Sequence, residues 1–167
     1  ALIRDMSAQV QARNAERAIQ ERLDRIIEFL SDATLVVDSE HRVIAWNKAM
    51  QDMTGVSKEA MLGKGDFEYA LPFYGYRRPI LLDFIGKDPS PAYPMYRAEQ
   101  SASGGLATEI FVPVLHGGRG AFVWAKATPL HDDHGRIVGA IQSVRDVTEK
   151  TRPEIGTRVL HPISTVI

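Results

Sequence analysis

The spacing of apolar residues changes abruptly at Ser31-Asp32, and this change limits the folds open to the chain. Residues 2–30 contain neither glycine nor proline. Within them, four apolar residues recur at intervals of four, three and four, which places them on one stripe of a helix: Ile19, Leu23, Ile26 and Leu30. After residue 32 the apolar residues alternate in TLVVD and RVIAW, as is typical of β-strands. The sequence therefore predicts a long helix followed directly by a sheet.

The apolar stripe of the N-terminal helix has two interpretations. Its spacing is that of the a and d positions of a coiled coil, so the helix would pair with a second copy. Alternatively, the stripe packs on its own domain. Because 167 residues suit one well-buried domain with helical or loose ends, we expect an amphipathic helix over residues 1–30, a domain over 31–150 and a linker or tail over 151–167.

Short helices are predicted after the first strand pair, which the turn Ser39-Glu40-His41 joins into a hairpin. Asn47 is placed to cap a helix over KAMQDMT that ends at Gly55, and Ser57 to cap a helix over SKEAML. A third helix is predicted for RRPILLDFI, with Pro79 in its first turn.

The last third of the chain returns to strands, in the segments ATEIFVPVL, GAFVWAKATPL and RIVGAIQSVRDV. Pro113 in the first of these segments indicates an edge strand, because proline cannot donate a hydrogen bond to a neighbouring strand. The order β-β-α-α-α-β-β-β predicts an α+β fold, with a five-stranded antiparallel sheet and helices on one face.

Composition excludes several classes of function. A formal net charge of −1 gives no electrostatic reason to expect nucleic acid or an anionic membrane surface as a partner. Cysteine is absent, which excludes disulfides, thiolate nucleophiles and cysteine-ligated metals. No apolar run approaches the roughly 20 residues of a membrane helix, and we expect a cytoplasmic location.

Three segments, taken in order and at these distances, resemble the PAS domain, a sensor module of bacterial and archaeal signalling proteins: VVDSEHRVIAWNKAM, TGVSKEAMLGK and KATPLHDDHGRIVGAIQSVRDVTEK. The resemblance covers about residues 28–150 and implies the PAS fold. RDVTEK is similar to the D-I-T ending of such domains, which leads into an output domain, often a histidine kinase or diguanylate cyclase. The resemblance implies that a signal leaves through Asp146, Val147 and Thr148.

Comparison with flavin-binding PAS relatives also implies which strand residues face a ligand pocket, namely Val123, Ala125, Ala127, Ala140, Gln142 and Val144. The helical middle would supply the rest of the lining, from Met50, Met53, Phe67, Tyr69, Phe73, Tyr74, Tyr76, Ile80 and Phe84. Such a cluster of aromatic residues and methionines is either plain core or a ligand site. Gln142, Arg77, Arg78 and the tyrosine hydroxyls keep the second interpretation open, and an inward arginine would suit a carboxylate.

Period-two alternation turns the neighbouring residues to the outer face of the sheet: Phe122, Trp124, Lys126, Ile141 and Ser143. The apolar ones form a patch that needs cover. We expect a homodimer interface built from Phe122, Trp124 and Ile141 with the stripe Ile19, Leu23, Ile26 and Leu30.

The kind of ligand is limited by residues that the chain lacks. Covalent flavin, bilin and p-coumaroyl attachment all need a cysteine, and PAS domains that bind haem ligate it through a histidine in the helical middle, where none lies between His41 and His116. A noncovalent small molecule remains open. Two histidines and two aspartates could be drawn as a metal site, but a polar hairpin tip is ordinarily a solvated turn: His131, Asp132, Asp133 and His134.

The sequence thus favours a PAS sensory domain of a signal-transduction protein that senses a small molecule and relays the signal through its flanking helices to an output domain of the same chain. The alternative is a ligand-free PAS domain for dimerisation and relay. A small α+β enzyme, with Asp38 or Glu109 as base, is a remote alternative, because the acidic and serine residues fall in caps and turns rather than converging. We therefore expect no catalytic residues and no metal.

Overall fold

A computed structural model of the chain describes residues 2–87 and 99–151. The helices are α1 (Leu2–Glu28), α2 (Lys48–Thr54), α3 (Lys58–Met61), α4 (Leu71–Tyr74) and α5 (Thr148–Thr151), with 3₁₀ helices at Glu68–Ala70 and Leu81–Phe84. The strands are β1 (Ala33–Asp38), β2 (Val43–Trp46), β3 (Glu99–Gln100), β4 (Leu106–Val112), β5 (Ala121–His131) and β6 (Ile137–Asp146).

The strands form one antiparallel sheet in the order β2-β1-β6-β5-β4-β3. The α+β fold with five predicted antiparallel strands is confirmed, and the two-residue strand β3 is an addition at the edge. Close backbone packing at the centre depends on Gly139, where a Cβ atom would lie 2.4 Å from the Val37 carbonyl oxygen. Any side chain at residue 139 would therefore push β1 and β6 apart.

The predicted faces of the two central strands agree with the burial of their residues. Along β5, Val123, Ala125 and Ala127 are buried, whereas Lys126 is exposed. Along β6, Ala140, Gln142 and Val144 are buried, while Ile141 and Ser143 between them are only partly buried. The short helices cover the buried face, so the core lies between that face and the helical layer.

Two details of the sequence prediction are wrong. The predicted helix over RRPILLDFI is a single 3₁₀ turn, Leu81–Phe84, and Ile80 before it is extended. The Asp83 carboxylate accepts a hydrogen bond from the Ile80 N–H and so fixes this start. Strand β4 ends at Val112, so Pro113 lies just beyond the strand rather than within it.

Helix α1 is attached to the domain near its C-terminal end. Glu28 forms an ion pair with Lys58, and the Ile27 carbonyl accepts a hydrogen bond from the Asn47 amide. The apolar stripe stays in solvent, with Leu23 49% and Ile26 53% exposed. Packing of the stripe on its own domain, one of the two interpretations, is therefore not what the single chain adopts. The predicted tail lies outside the described residues from 152 onward.

The side chain of Asn47 connects three elements at the entry to the domain. Its Oδ1 accepts hydrogen bonds from the N–H groups of Met50, which is the predicted helix cap, and of Thr34 in β1, each 2.9 Å long. Its Nδ2 donates to the carbonyls of Ile27 and Asp32, each 3.0 Å away. One buried amide thus holds α1, β1 and α2 together.

We expect Asn47→Ala to lower the free energy of unfolding by about 3–4 kcal/mol, because several buried backbone groups lose their partner at once. Urea denaturation followed by circular dichroism measures this. The matched control is Ser57→Ala, which removes an ordinary helix cap, because Ser57 Oγ accepts a hydrogen bond from the Ala60 N–H. It should lower the free energy of unfolding by only about 1 kcal/mol. Equal losses in the two variants would contradict the role given to Asn47.

Candidate functional site

A small cavity lies over the inner face of the sheet, where the sequence predicts a ligand pocket. It measures about 30 Å³, and we call it the sheet cavity; its walls are Phe73, Tyr74, Ile80, Leu81, Thr108, Ile110, Val112, Val123, Ala125, Gln142 and Val144. Cavities that hold drug-sized ligands measure about 300–1,000 Å³. The side chains of the helical layer therefore fill most of the space that the small residues of β5 and β6 leave.

Seven of the predicted pocket residues line the sheet cavity: Phe73, Tyr74, Ile80, Val123, Ala125, Gln142 and Val144. Met50, Ala127 and Ala140 are buried in the core away from it, and Met53 packs on the edge of the core. Sequence reasoning missed Leu81 and one face of β4, namely Thr108, Ile110 and Val112. Their alternation along ATEIFV is the signal that could have revealed them.

Gln142 provides a polar link between the sheet and the helical layer. Its side chain is buried, and its Oε1 accepts a hydrogen bond of 2.9 Å from the backbone N–H of Leu82. Leu82 belongs to the 3₁₀ helix Leu81–Phe84, which lies sixty residues earlier in the chain. This hydrogen bond therefore joins the helical layer directly to strand β6.

The arginines proposed for a ligand carboxylate do not line the sheet cavity. Arg77 is exposed and pairs with Glu68, with 3.2 Å between Nη2 and Oε1. The guanidinium carbon of Arg78 lies 4.3 Å from the centroid of the Tyr74 ring, a cation–π contact. Tyr76 is exposed as well. The sheet cavity is therefore almost wholly apolar, apart from Thr108 and Gln142.

The other three predicted residues, Phe67, Tyr69 and Phe84, line a second cavity. It measures about 540 Å³, and we call it the His41 cavity; its walls are Ser39, Glu40, His41, Asp66, Phe67, Tyr69, Pro79, Asp83, Phe84 and Lys87. It lies between the turn that joins β1 to β2 and the 3₁₀ helix Leu81–Phe84. The sequence prediction merged this space with the sheet cavity, because spacing along the chain does not show that Tyr69 faces Asp83.

Asp83 is the buried charged group of the His41 cavity. Its Oδ1 accepts a hydrogen bond of 2.6 Å from the Tyr69 hydroxyl and lies 2.7 Å from His41 Nδ1. Burial, reinforced by the neighbouring Asp83 charge and hydrogen bond, raises the pKa of Tyr69 far above its ordinary value. Tyr69 is therefore a permanent donor, and the network joins three segments of the chain.

The segment after β6 is fixed by contacts to its neighbours. Asp146 Oδ2 lies 2.8 Å from His116 Nε2, and the Val147 N–H donates to the Phe122 carbonyl at 2.8 Å. The Phe122 N–H in turn donates to Thr148 Oγ1 at 3.0 Å. Burial opposes ionisation of Asp146, but hydrogen bonds from Thr148 and His116 outweigh it and lower the pKa of this carboxyl group. These contacts position the start of α5 against β5.

A family model described as PAS fold matches residues 27–152, most of the chain. This chain belongs to the PAS fold family. PAS domains are commonly sensory modules of signalling proteins and are generally not catalytic. No curated protein matches the chain.

Solved structures similar to this PAS domain include an isolated PAS domain and two larger receptors. An RNA-binding light-oxygen-voltage receptor is 16% identical, with a TM-score of 0.58, and covers 86% of this chain, which spans only 37% of that receptor. The PAS domain of Bordetella pertussis BvgS is 21% identical, with a TM-score of 0.52, covering 86% of this chain and 97% of its own. The Vibrio cholerae VqmA dimer, a LuxR-type receptor that binds DNA, is 19% identical, with a TM-score of 0.51. The match covers 81% of this chain and 56% of the VqmA chain. At these identities the likeness shows the fold.

The remaining sequence predictions concern a metal site and membrane-spanning helices. Within residues 2–87 and 99–151 no cluster of three or more histidine, aspartate or glutamate side chains could hold a metal ion. In the β5–β6 turn, hydrogen bonds from the Arg136 and His134 N–H groups lower the pKa of Asp132, so this carboxylate organises the turn. None of the helices in the described parts of the PAS domain combines the length and the apolarity that crossing a bilayer needs.

We expect Asp83→Ala to lower the free energy of unfolding by about 3–5 kcal/mol, since Tyr69, His41 and the Ile80 N–H all lose their acceptor. Tyr69→Phe removes one donor and should cost about 1–2 kcal/mol. Chemical denaturation of both variants tests this ordering. A larger loss for Tyr69→Phe than for Asp83→Ala would show that the carboxylate does not organise the network.

Proposed function

We propose that this PAS domain senses and relays signals within a signalling protein, and that a change in its helical layer reaches β6 through Gln142 and leaves through Asp146, Val147 and Thr148. The observation that carries the proposal is the hydrogen bond from the Leu82 N–H to Gln142 Oε1. It makes β6, the strand that leads into α5, sensitive to the position of the 3₁₀ helix Leu81–Phe84.

The size of the sheet cavity bears on what the domain senses. With about 30 Å³ available, a noncovalent small molecule fits over the sheet only after Phe73 and Tyr74 move away. An empty-pocket state and an occupied state would therefore differ in the helical layer, which Gln142 contacts. A ligand shifts the balance between such states only by its difference in affinity for them.

The output of the relay belongs to another domain. As the resemblance to PAS sensors implies, a histidine kinase or a diguanylate cyclase in the same cytoplasmic protein would receive the change in α5. The PAS domain would carry no catalysis of its own. The contacts from Phe122 to Val147 and Thr148 support this direction of transfer, because they tie the first turn of α5 to the sheet.

We expect Gln142→Leu to speed amide hydrogen exchange at Leu82 and also at Val147. Leucine keeps the approximate volume but offers no acceptor, and a lost hydrogen bond of roughly 1–1.5 kcal/mol corresponds to about tenfold faster exchange. Hydrogen exchange followed by nuclear magnetic resonance measures each amide separately.

The matched control is Ser143→Ala, the next residue on the same strand but on the opposite face. It should leave the exchange at Leu82 and Val147 unchanged. Faster exchange at Leu82 in Gln142→Leu, with no change at Val147, would remove Gln142 from the relay. Equal acceleration at every core amide would indicate only a loss of global stability.

A second role, dimerisation through α1, is favoured by the exposure of the apolar stripe. Ile19 is 61% exposed and Leu30 is 41% exposed, although the spacing is that of a coiled-coil seam. The outer face of the sheet adds the partly buried residues Phe122, Trp124 and Ile141. A second copy that pairs its stripe with this one would remove both stripes from water, and the outer face of the sheet would be covered only where the second copy also packs on it.

We expect the double variant Leu23→Glu with Ile26→Glu to be monomeric, since it places charges in the seam. Sedimentation equilibrium measures the mass. The control adds the same two charges on the opposite side of the helix, as Asn14→Glu with Ala18→Glu, and should remain dimeric. A dimer that persists in the first variant would rule out α1 as the main interface.

A further inference from the structure

The His41 cavity is large enough for a small ligand, whereas the sheet cavity is not. At about 540 Å³ its volume falls within the usual range of ligand sites, about 300–1,000 Å³. Its walls combine the phenyl rings of Phe67 and Phe84 with a polar group, Asp83 with Tyr69 and His41. Apolar walls with a few fixed polar groups are what a site for a small organic molecule needs.

The hydrogen-bond network of Asp83 fixes what the polar group offers to a ligand. A carboxylate only accepts hydrogen bonds, so His41 Nδ1 must carry the proton that lies between it and Asp83 Oδ1. In a neutral imidazole the other nitrogen, Nε2, is then an acceptor. Nε2 makes no hydrogen bond to any residue in the described parts of the chain. The network therefore presents an acceptor to a ligand that can donate.

Backbone strain concentrates at the same cavity. Left-handed φ angles are unfavourable for residues other than glycine. Three non-glycine residues at this cavity nevertheless adopt them: His41 (59°), Asp66 (54°) and Phe67 (58°). Within the described residues only His116 shares this property elsewhere. Strained residues that cluster around one cavity are typical of positions held for binding.

The charges around the cavity favour a cation over an anion. At the exposed rim Glu40 pairs with Arg42 and Asp66 with Arg77, so these four charges offset one another. Among the lining residues this leaves the exposed ammonium group of Lys87 and the buried carboxylate of Asp83. The buried Asp83 therefore dominates the charge that a ligand would meet at depth.

We propose that the His41 cavity binds a small aromatic molecule that carries a cationic hydrogen-bond donor, with the ring between Phe67 and Phe84 and the donor on His41 Nε2. The His41 cavity shares no lining residue with the sheet cavity. Ligand binding in the His41 cavity does not depend on the proposed transfer of a signal through Gln142.

Benzamidine and benzoate are a matched pair of probes. Both are planar rings with a forked head of the same size, but benzamidine is a cation that donates hydrogen bonds and benzoate is an anion that accepts them. Titrations of the whole chain with each probe are followed in ¹H–¹⁵N spectra. We expect benzamidine to shift the amides of Ser39, Phe67 and Phe84, and benzoate to leave them unchanged.

His41→Asn tolerates the left-handed backbone and removes the imidazole, and we expect it to weaken benzamidine binding at least about fivefold. His116→Asn is the control, since His116 also has a left-handed φ and an aspartate partner but lines another cavity. Lys87→Gln, at an exposed position, removes the lysine that lines the cavity and should strengthen benzamidine binding.

Three results would overturn the proposal. The first is no shift of the Ser39, Phe67 and Phe84 amides at tens of millimolar benzamidine. The second is benzoate binding at least as strong as that of benzamidine. The third is unchanged benzamidine affinity in both His41→Asn and Lys87→Gln.

Discussion

The buried amide of Asn47 is the interaction on which the arrangement of the first half of this PAS domain depends. Only asparagine and glutamine carry a side-chain amide, which offers an acceptor oxygen and two N–H donors. In Asn47 both the oxygen and the NH₂ group are used. Oδ1 serves β1 and α2, and Nδ2 serves the end of α1 and the connection at Asp32. The direction in which α1 leaves the domain is therefore set by a group inside the core.

The 3₁₀ helix Leu81–Phe84 is the second element that holds the domain together, because two of its residues contact different parts of the chain. Asp83 faces the His41 cavity and holds Tyr69 and His41, while the N–H of the preceding residue, Leu82, donates to Gln142 on β6. Asp83 and Leu82 are adjacent residues of this one turn, so the network around Asp83 and the hydrogen bond to Gln142 lie next to each other along the chain. The proposed relay and the proposed ligand site thus share one 3₁₀ helix without sharing a cavity.

Sequence reasoning succeeded where the determinants are local. The caps at Asn47 and Ser57 follow from residue type within a few positions. The buried faces of β5 and β6 followed from the resemblance to flavin-binding PAS relatives, and alternation then gave the outer residues. It failed at RRPILLDFI, where a helical pattern of apolar residues yields one 3₁₀ turn because the Asp83 carboxylate bonds the Ile80 N–H. It also treated the aromatic residues of the middle as one lining, although Phe73 and Phe67 line different cavities.

The sequence by itself determined the order of helices and strands, which depends on periodicity, and the resemblance to the PAS family, which depends on motifs at fixed distances. That resemblance in turn implied the face that each central strand buries. Only the tertiary structure decided how much space remains over the sheet, since that volume depends on how Phe73, Tyr74 and Ile80 pack against strands far along the chain. It also decided that His41, Tyr69 and Asp83 meet, because their contact is made by folding across 42 residues and no local pattern encodes it.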